Sequence, residues 1–356
     1  MKKLMIYIGI TVLINIIFRV ISRLSPDFSE WYATHIYPLF VAVFGGFWGL
    51  FPFSVIEILL YILIIAVLAG IVYLVRKLIK HKTERKKTLL NALVALTCAV
   101  STLLVIFLFG CEINYQRKPF SAHSGLVLSE YSTQELRDVI DEVIGELERL
   151  SPLINTDEQG GMVLDKARLN PVSRAAMRKL GEQYPALATY YPNAKGVAFS
   201  REILSSALIA GVYSPFTIEA NYNRDMPDVE IPFVVCHELS HLSGFMREDE
   251  ANFIAFLACR ESGDIEFLYS GYYKALVYLI NAYYGEVELE EYREMYATIP
   301  EQVRVQMTLV GDYWRPFRDT PVAQAASAVN DAHLKIQGQE DGVKSYGRMV
   351  DLLIAD

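Results

Sequence analysis

Between Arg23 and Arg76 the chain has no lysine or arginine. A surface in water rarely goes so long without a positive charge, so this stretch argues against a wholly soluble protein. Cysteine is scarce as well, with only Cys98, Cys111, Cys236 and Cys259 in 356 residues. Four cysteines exclude a scaffold built on disulfides. A Cys236–Cys259 bridge is compatible with an oxidising compartment, but two buried free thiols are the expectation. There are no internal repeats and no low-complexity tracts, which excludes a solenoid. No small-x-small cleavage site follows the first apolar run, so that run reads as a retained span rather than a signal peptide.

Apolar residues are abundant. The chain is 53% hydrophobic with a mean hydropathy of +0.25. The excess is concentrated in residues 4–22, 55–75 and 88–110, each long enough to cross a bilayer as a helix. A fourth stretch, 37–53, is rich in Phe and Gly and broken by Pro38 and Pro52. It reads as an interfacial or re-entrant segment. Arg76, Lys77, Lys80, Lys82, Arg85, Lys86 and Lys87 crowd between the second and third spans. The positive-inside rule puts that loop in the cytoplasm, together with Lys2 and Lys3. Residues 111–356 are then extracytoplasmic. The expected organisation is a three-span, multi-pass anchor over 1–110 and one extracytoplasmic domain over 111–356.

Charge divides along the same line. Residues 1–110 carry a net +7 and residues 111–356 a net −15. So acidic a domain does not favour nucleic acid as a partner. The partner these features indicate is the lipid bilayer, with the oligomeric state open.

Residues 111–131 read as a linker leaving the membrane. Ser132 and Glu135 have the spacing of a capping box, and Leu136, Ile140, Val143, Leu147 and Leu150 follow at helical intervals. Pro171–Leu187 reads as a second helix. Residues 190–230 are rich in Tyr, Pro, Asn and Gly, with short β-like runs such as Val212–Ala220. Helical patterns return from Pro232 onward. The fold class is a mainly-α, α+β soluble domain with a small sheet, zincin-like in expectation, behind three α-helical spans.

The most specific signal is His237-Glu238-Leu239-Ser240-His241, inside an apolar run that opens with Pro232 and stops at Gly244. On a helix, residues four apart share a face. His237 and His241 can therefore offer two imidazoles to one zinc ion, with Glu238 beside it as general base. Cys236 points off that face and is not an expected ligand. One known spacing places a third histidine six residues after the second. Arg247 stands there, and a guanidinium stays protonated and cannot bind metal. Glu248 is the next candidate ligand and Glu250 its rival. An acidic helix start favoured by the helix dipole is the plainer account of both.

Glu248-Asp249-Glu250-Ala251-Asn252 resembles the second metal helix of the gluzincins, the thermolysin-like zinc peptidases. That resemblance implies Glu248 as the zinc ligand and Asn252 as the residue that orients a ligating histidine. Other elements lie along the whole chain: Phe51-Pro52-Phe53-Ser54, Asn114-Tyr115, Tyr269-Ser270-Gly271-Tyr272, and Gly338-Gln339 with Ser345-Tyr346-Gly347 in the tail. With these the chain resembles a bacterial family of membrane proteins known only as a domain of unknown function. The resemblance implies a zinc metallopeptidase on a three-span anchor and supplies no substrate.

The expected chemistry is hydrolysis of a peptide or protein substrate by a zinc-activated water, with a zinc-binding but non-catalytic sensor or scaffold as the alternative. An edge strand at Pro215–Ala220 could pair with an extended peptide. Tyr269, Tyr272, Tyr273 and Tyr346 are candidate oxyanion donors. The segment Gln337–Asp356 either lines the cleft or packs as a terminal helix.

Overall fold

The computed structural model describes residues 2–356. Helices hold 74% of the chain, and one three-stranded sheet completes it. Three helices are long and apolar enough to cross a membrane: α1 (Lys2–Leu24), α2 (Val55–Lys80) and α3 (Arg85–Gly110). Each runs slightly beyond the apolar core read from sequence, because flanking Lys and Arg continue the helix at no cost where the chain meets water. Helices α1 and α3 pack together, with Tyr7 and Thr102 hydroxyls 2.8 Å apart and Arg19 paired to Glu112 at 2.8 Å. None of the apolar window of α2 is buried in the protein. These exposed apolar helices associate the chain with a membrane.

The stretch between α1 and α2 is helical over residues 26–48, with π-helical turns at Tyr32–Ile36 and Val41–Gly45. It contributes Tyr32, Tyr37 and Val41 to the same hydrophobic core as the rest of the chain. The Tyr37 hydroxyl lies 2.6 Å from that of Tyr213.

The start of α2 is fixed to the sheet by two buried carboxylates. Glu219 accepts from the backbone N–H groups of Val55 and Ile56 at 3.2 and 2.9 Å, satisfying donors that a helix start leaves free. Lys195 pairs with Glu219 and donates to the Trp48 carbonyl at 2.7 Å. Glu57, the single acid in the second apolar run, accepts from Ala198 N, Phe199 N and the Tyr61 hydroxyl.

Residues 111–131 do not begin as a loose linker. Glu112–Gln116 forms a buried 3-10 turn, and Cys111, Ile113, Asn114, Tyr115, Arg117 and Phe120 are all buried. Arg117 pairs with Glu30 at 2.8 Å and stacks 3.9 Å from the Phe245 ring centroid. Hydropathy missed this because the segment mixes polar and apolar residues, and its polar groups find partners only in the folded chain.

Helix α4 (Thr133–Leu150) carries the expected capping box, with both reciprocal Ser132–Glu135 bonds formed. Helix α5 (Lys166–Gln183) starts five residues before Pro171, because Asp165 caps it by accepting from Ala167 N at 3.0 Å. Its end at Gln183 precedes a short turn at Pro185–Leu187. The sheet has the order β1 (Lys195–Gly196), β3 (Glu219–Tyr222), β2 (Gly211–Ser214), with β1 parallel and β2 antiparallel to β3. Pro215–Ala220 is therefore a turn running into the central strand. β1 and β2 are the two edge strands, and the β-like residues past Ser214 turn back at Ile218, where φ is +52°.

Beneath the sheet lie α6 (Ile231–Leu242) and α7 (Glu248–Glu261), packed on α8 (Ile265–Glu286). Helices α9 (Leu289–Ala297), α10 (Glu301–Trp314) and α11 (Pro321–Ile336) follow, and α12 (Met349–Ala355) closes the chain. Cys236 and Cys259 are both buried and free.

Candidate metal centre

All twelve residues of α6 are buried. Pro232 sits in its first turn, where a missing N–H costs nothing. Gly244 follows the last turn at φ +94°, a conformation that other residues adopt only with strain. The chain reverses there and starts α7 four residues later. This hairpin sets the first residue of α7, Glu248, against the histidine face of α6.

His237 Nε2 lies 3.2 Å and His241 Nε2 3.5 Å from Glu248 Oε2. One donor atom from each of the three residues falls within 4.8 Å of the others. Two nitrogens and one carboxylate make a common catalytic zinc set that leaves a fourth position open. His241 Nδ1 donates to the Phe245 carbonyl at 2.8 Å, which leaves Nε2 as a lone pair aimed at the cluster. Converging lone pairs need a cation or a proton between them. Glu248 Oε2 is also buried without a hydrogen-bond donor. The residues therefore fit a divalent metal.

The electrostatics are those of a buried charge cluster. Burial would lower the His241 pKa, but the Glu248 carboxylate outweighs it and raises it to about 9. For Glu248 burial is outweighed by the two imidazoles, which hold it well below the usual carboxylate range. Burial and the neighbouring His241 push His237 down. Burial, with Glu248 beside it, pushes Glu238 up to about 8 against the pull of His241 and the Tyr213 amide. Glu238 Oε2 is buried with no partner.

Glu250 lies apart from the cluster. It accepts from Phe120 N at 2.9 Å and pairs with Arg247 at 3.2 Å. Burial raises it to about 7, with Arg247 opposing. Two residues along a helix turn the side chain through more than half a circle, so only one of the two glutamates can face α6. Asn252, one turn after Glu248, donates to the Tyr278 hydroxyl at 3.1 Å and to the Tyr346 carbonyl at 3.3 Å. It approaches His237, yet His237 Nδ1 makes no hydrogen bond of normal geometry.

The cluster lies in a cavity of about 1120 Å³. Of the four tyrosines singled out in the sequence, only Tyr346 lines it; Tyr269, Tyr272 and Tyr273 do not. The tail lines the cleft through Val343 and Tyr346. Tyr278 and His333 also line it and carried no signal in the sequence, since neither lies in a recognisable spacing. Gly211 is the position most directly tied to Glu238. A Cβ there would lie 2.8 Å from both Glu238 Cγ and Val234 Cγ1.

These features define a mainly helical, membrane-associated protein with a His/His/Glu cluster in a buried cleft. A family model described as a protein of unknown function, DUF3810, matches residues 32–354, and the chain belongs to that family. No curated protein and no solved structure matches it.

Proposed function

We propose that the protein is a membrane-anchored zinc metallopeptidase whose site lies outside the cytoplasm. The observation that carries this reading is the convergence of His237, His241 and Glu248, with a buried, unpartnered Glu238 carboxylate oxygen beside them. The extracytoplasmic side is read from the basic loop between α2 and α3. The gluzincin class is read from the order of ligands along the chain. A mere metal store has no need of a second buried carboxylate; a hydrolase does.

Zinc held by these residues supplies a Lewis acid that acidifies water and polarises a carbonyl. The other roles belong to the chain. Glu238 takes the proton from the attacking water and hands it to the leaving amine. Its raised pKa suits the second task, and a cation held by its neighbours lowers it for the first. The free edge of β2 offers backbone groups to an extended peptide. Tyr346, Tyr278 and His333 are among the side chains lining the cleft that can donate to a developing oxyanion.

The test is zinc content by elemental mass spectrometry on the full chain in detergent, beside His237→Ala. About one zinc per chain, lost in the variant, is expected. Metal-free protein in both cases, even after zinc is offered, overturns the reading.

A further inference from the structure

The cleft is built against the end of a candidate membrane span. Phe107 in the last turn of α3, and Cys111 just after it, line the cavity together with His241 and Glu248. No stalk separates them. Tyr213, next to Glu238 on β2, donates to the Gly110 carbonyl at 2.9 Å. Gly110 is pressed so close to Pro215 that a Cβ there would lie 2.6 Å from the Pro215 carbonyl oxygen. The site therefore sits at the level where α3 leaves the bilayer.

The opposite rim is α11. Val322, Val329 and Ile336 recur every seven residues and so share one face of that helix. They are 56%, 71% and 66% exposed. Val322 and Val329 line the mouth of the cavity. The C-terminal end of α11 meets the end of the first span, where Arg23 donates to the Ile336 carbonyl at 3.2 Å. Leu208 and Val212 line the same cavity and are also exposed, as is Phe216 two residues past the end of β2. Contiguous exposed apolar patches around a cleft mark places where a protein, ligand or membrane docks. Here the rim lies between the outer ends of two spans, α1 at Arg23 and α3 at Phe107, with His237, Glu238, His241 and Glu248 lining the same cavity.

We propose that this rim is a lateral entrance from the bilayer, and that the substrate is a polypeptide itself anchored in the membrane, cut in an apolar, extended segment next to its span. This rests on the peptidase reading of the site. The free edge of β2 beside the mouth selects an extended chain rather than a lipid. A substrate tethered in the same bilayer reaches the site at a raised effective concentration and already oriented. A soluble peptide has neither advantage.

Two measurements on the full chain in vesicles test this, with zinc content determined on the same preparations. In a Cys98→Ala background, nitroxides are placed at Val322→Cys, Val329→Cys and Ile336→Cys, with the exposed Gln324→Cys as a control facing another direction. The three rim positions should collide readily with oxygen and poorly with a soluble nickel chelate, and Gln324 the reverse. In Glu238→Gln, a benzophenone side chain at Val329 is offered two probes. One is a Leu-rich single-span peptide bearing an apolar tail of about 15 residues, and the other is the tail alone. The spanning probe should be captured at least about tenfold better.

Water-like accessibility at the rim, equal capture of both probes, or cross-linking of two copies of this chain overturns the entrance; if zinc is bound, the peptidase reading survives that result. Absence of zinc overturns the peptidase reading, and the proposed substrate with it.

Discussion

Glu57 and Glu238 are both carboxylates on apolar helices, and both are buried, yet they are opposites. Glu57 stands in the first turn of α2, where Ala198 N, Phe199 N and the Tyr61 hydroxyl donate to it. Glu238 stands in the middle of α6, with one oxygen facing a cleft and no donor. Burial of a charged group is expensive unless hydrogen bonds repay it. At Glu57 the repayment is complete and the result is an anchor point between span and sheet. At Glu238 it is withheld, and the result is a group whose proton is held up to about pH 8. The difference teaches how to separate structural from chemical acids: by counting donors, not by burial.

The sharpest way to break this comparison is to neutralise each carboxylate. Glu238→Gln should lower cleavage of a turned-over peptide by about 10²–10⁴-fold. Its zinc content should stay at the wild-type level, and its melting temperature should hold or rise. Glu57→Gln should leave zinc binding intact and cost about 1.5–3 kcal/mol of stability, since a charged acceptor is lost. Parallel thermal unfolding, metal analysis and peptide assays decide the matter. Should Glu57→Gln lose zinc while Glu238→Gln loses stability, the two roles have been assigned backwards.

A second test extends the structural side of the comparison. Lys195 and Glu219 are almost fully buried, and their pair joins the sheet to the start of α2. Lys195→Met leaves the Glu219 carboxylate without its cation and should cost about 3–5 kcal/mol. Lys195→Met combined with Glu219→Gln should recover part of that loss, because the amide oxygen can still accept from Val55 N and Ile56 N. Thermal unfolding in detergent reads both. Equal stability of the single variant and wild type would show that the pair does not hold the sheet to the span.

How far the sequence announced all this differs between the same two regions. The three apolar runs were legible within a few residues, because length and composition alone decide whether a helix can cross a bilayer. The pairing of His237 with His241 was legible because helical periodicity is local. The role of Glu57 was not, since its two backbone donors, Ala198 and Phe199, lie about 140 residues away in sequence. Nor could residues 111–120 be read as core, because Arg117 is buried only through Glu30 and Phe245. The ambiguity between Glu248 and Glu250 required knowing where α7 begins, and that is set by the turn at Gly244. Gly211, Tyr278 and His333 reach the cleft only through tertiary packing.

Gly211→Ala sharpens the chemical side. The added methyl meets Glu238 Cγ and Val234 Cγ1, each 2.8 Å from its position, so helix and strand must part. Overpacking of this kind costs about 1–3 kcal/mol. Activity should fall while zinc content is retained, because the displaced group is the proton acceptor and not a ligand. Unchanged activity in a folded variant would mean that Glu238 tolerates displacement and that β2 does not position it.

The smallest effect concerns pH, and its sign follows from the two raised pKa values. In metal-stripped protein His241 is raised to about 9. Its contribution to stability is full below about pH 6.5 and is lost as pH rises through about 9. Glu238, raised to about 8, adds stability that is full below about pH 4.5 and lost as pH rises through about 8. Both losses run in the same direction, so the chelated protein should melt at progressively lower temperature between about pH 6 and pH 9.5. A cation among His237, His241 and Glu248 takes the place of the His241 proton and lowers the Glu238 pKa. The zinc-loaded protein should therefore show a flatter profile, with the largest gap between loaded and chelated forms at high pH. Glu238→Gln should remove the lower part of the slope from the chelated protein and leave the part due to His241. Identical profiles with and without zinc would indicate that the cluster is held together by its own charges and gains nothing from the metal.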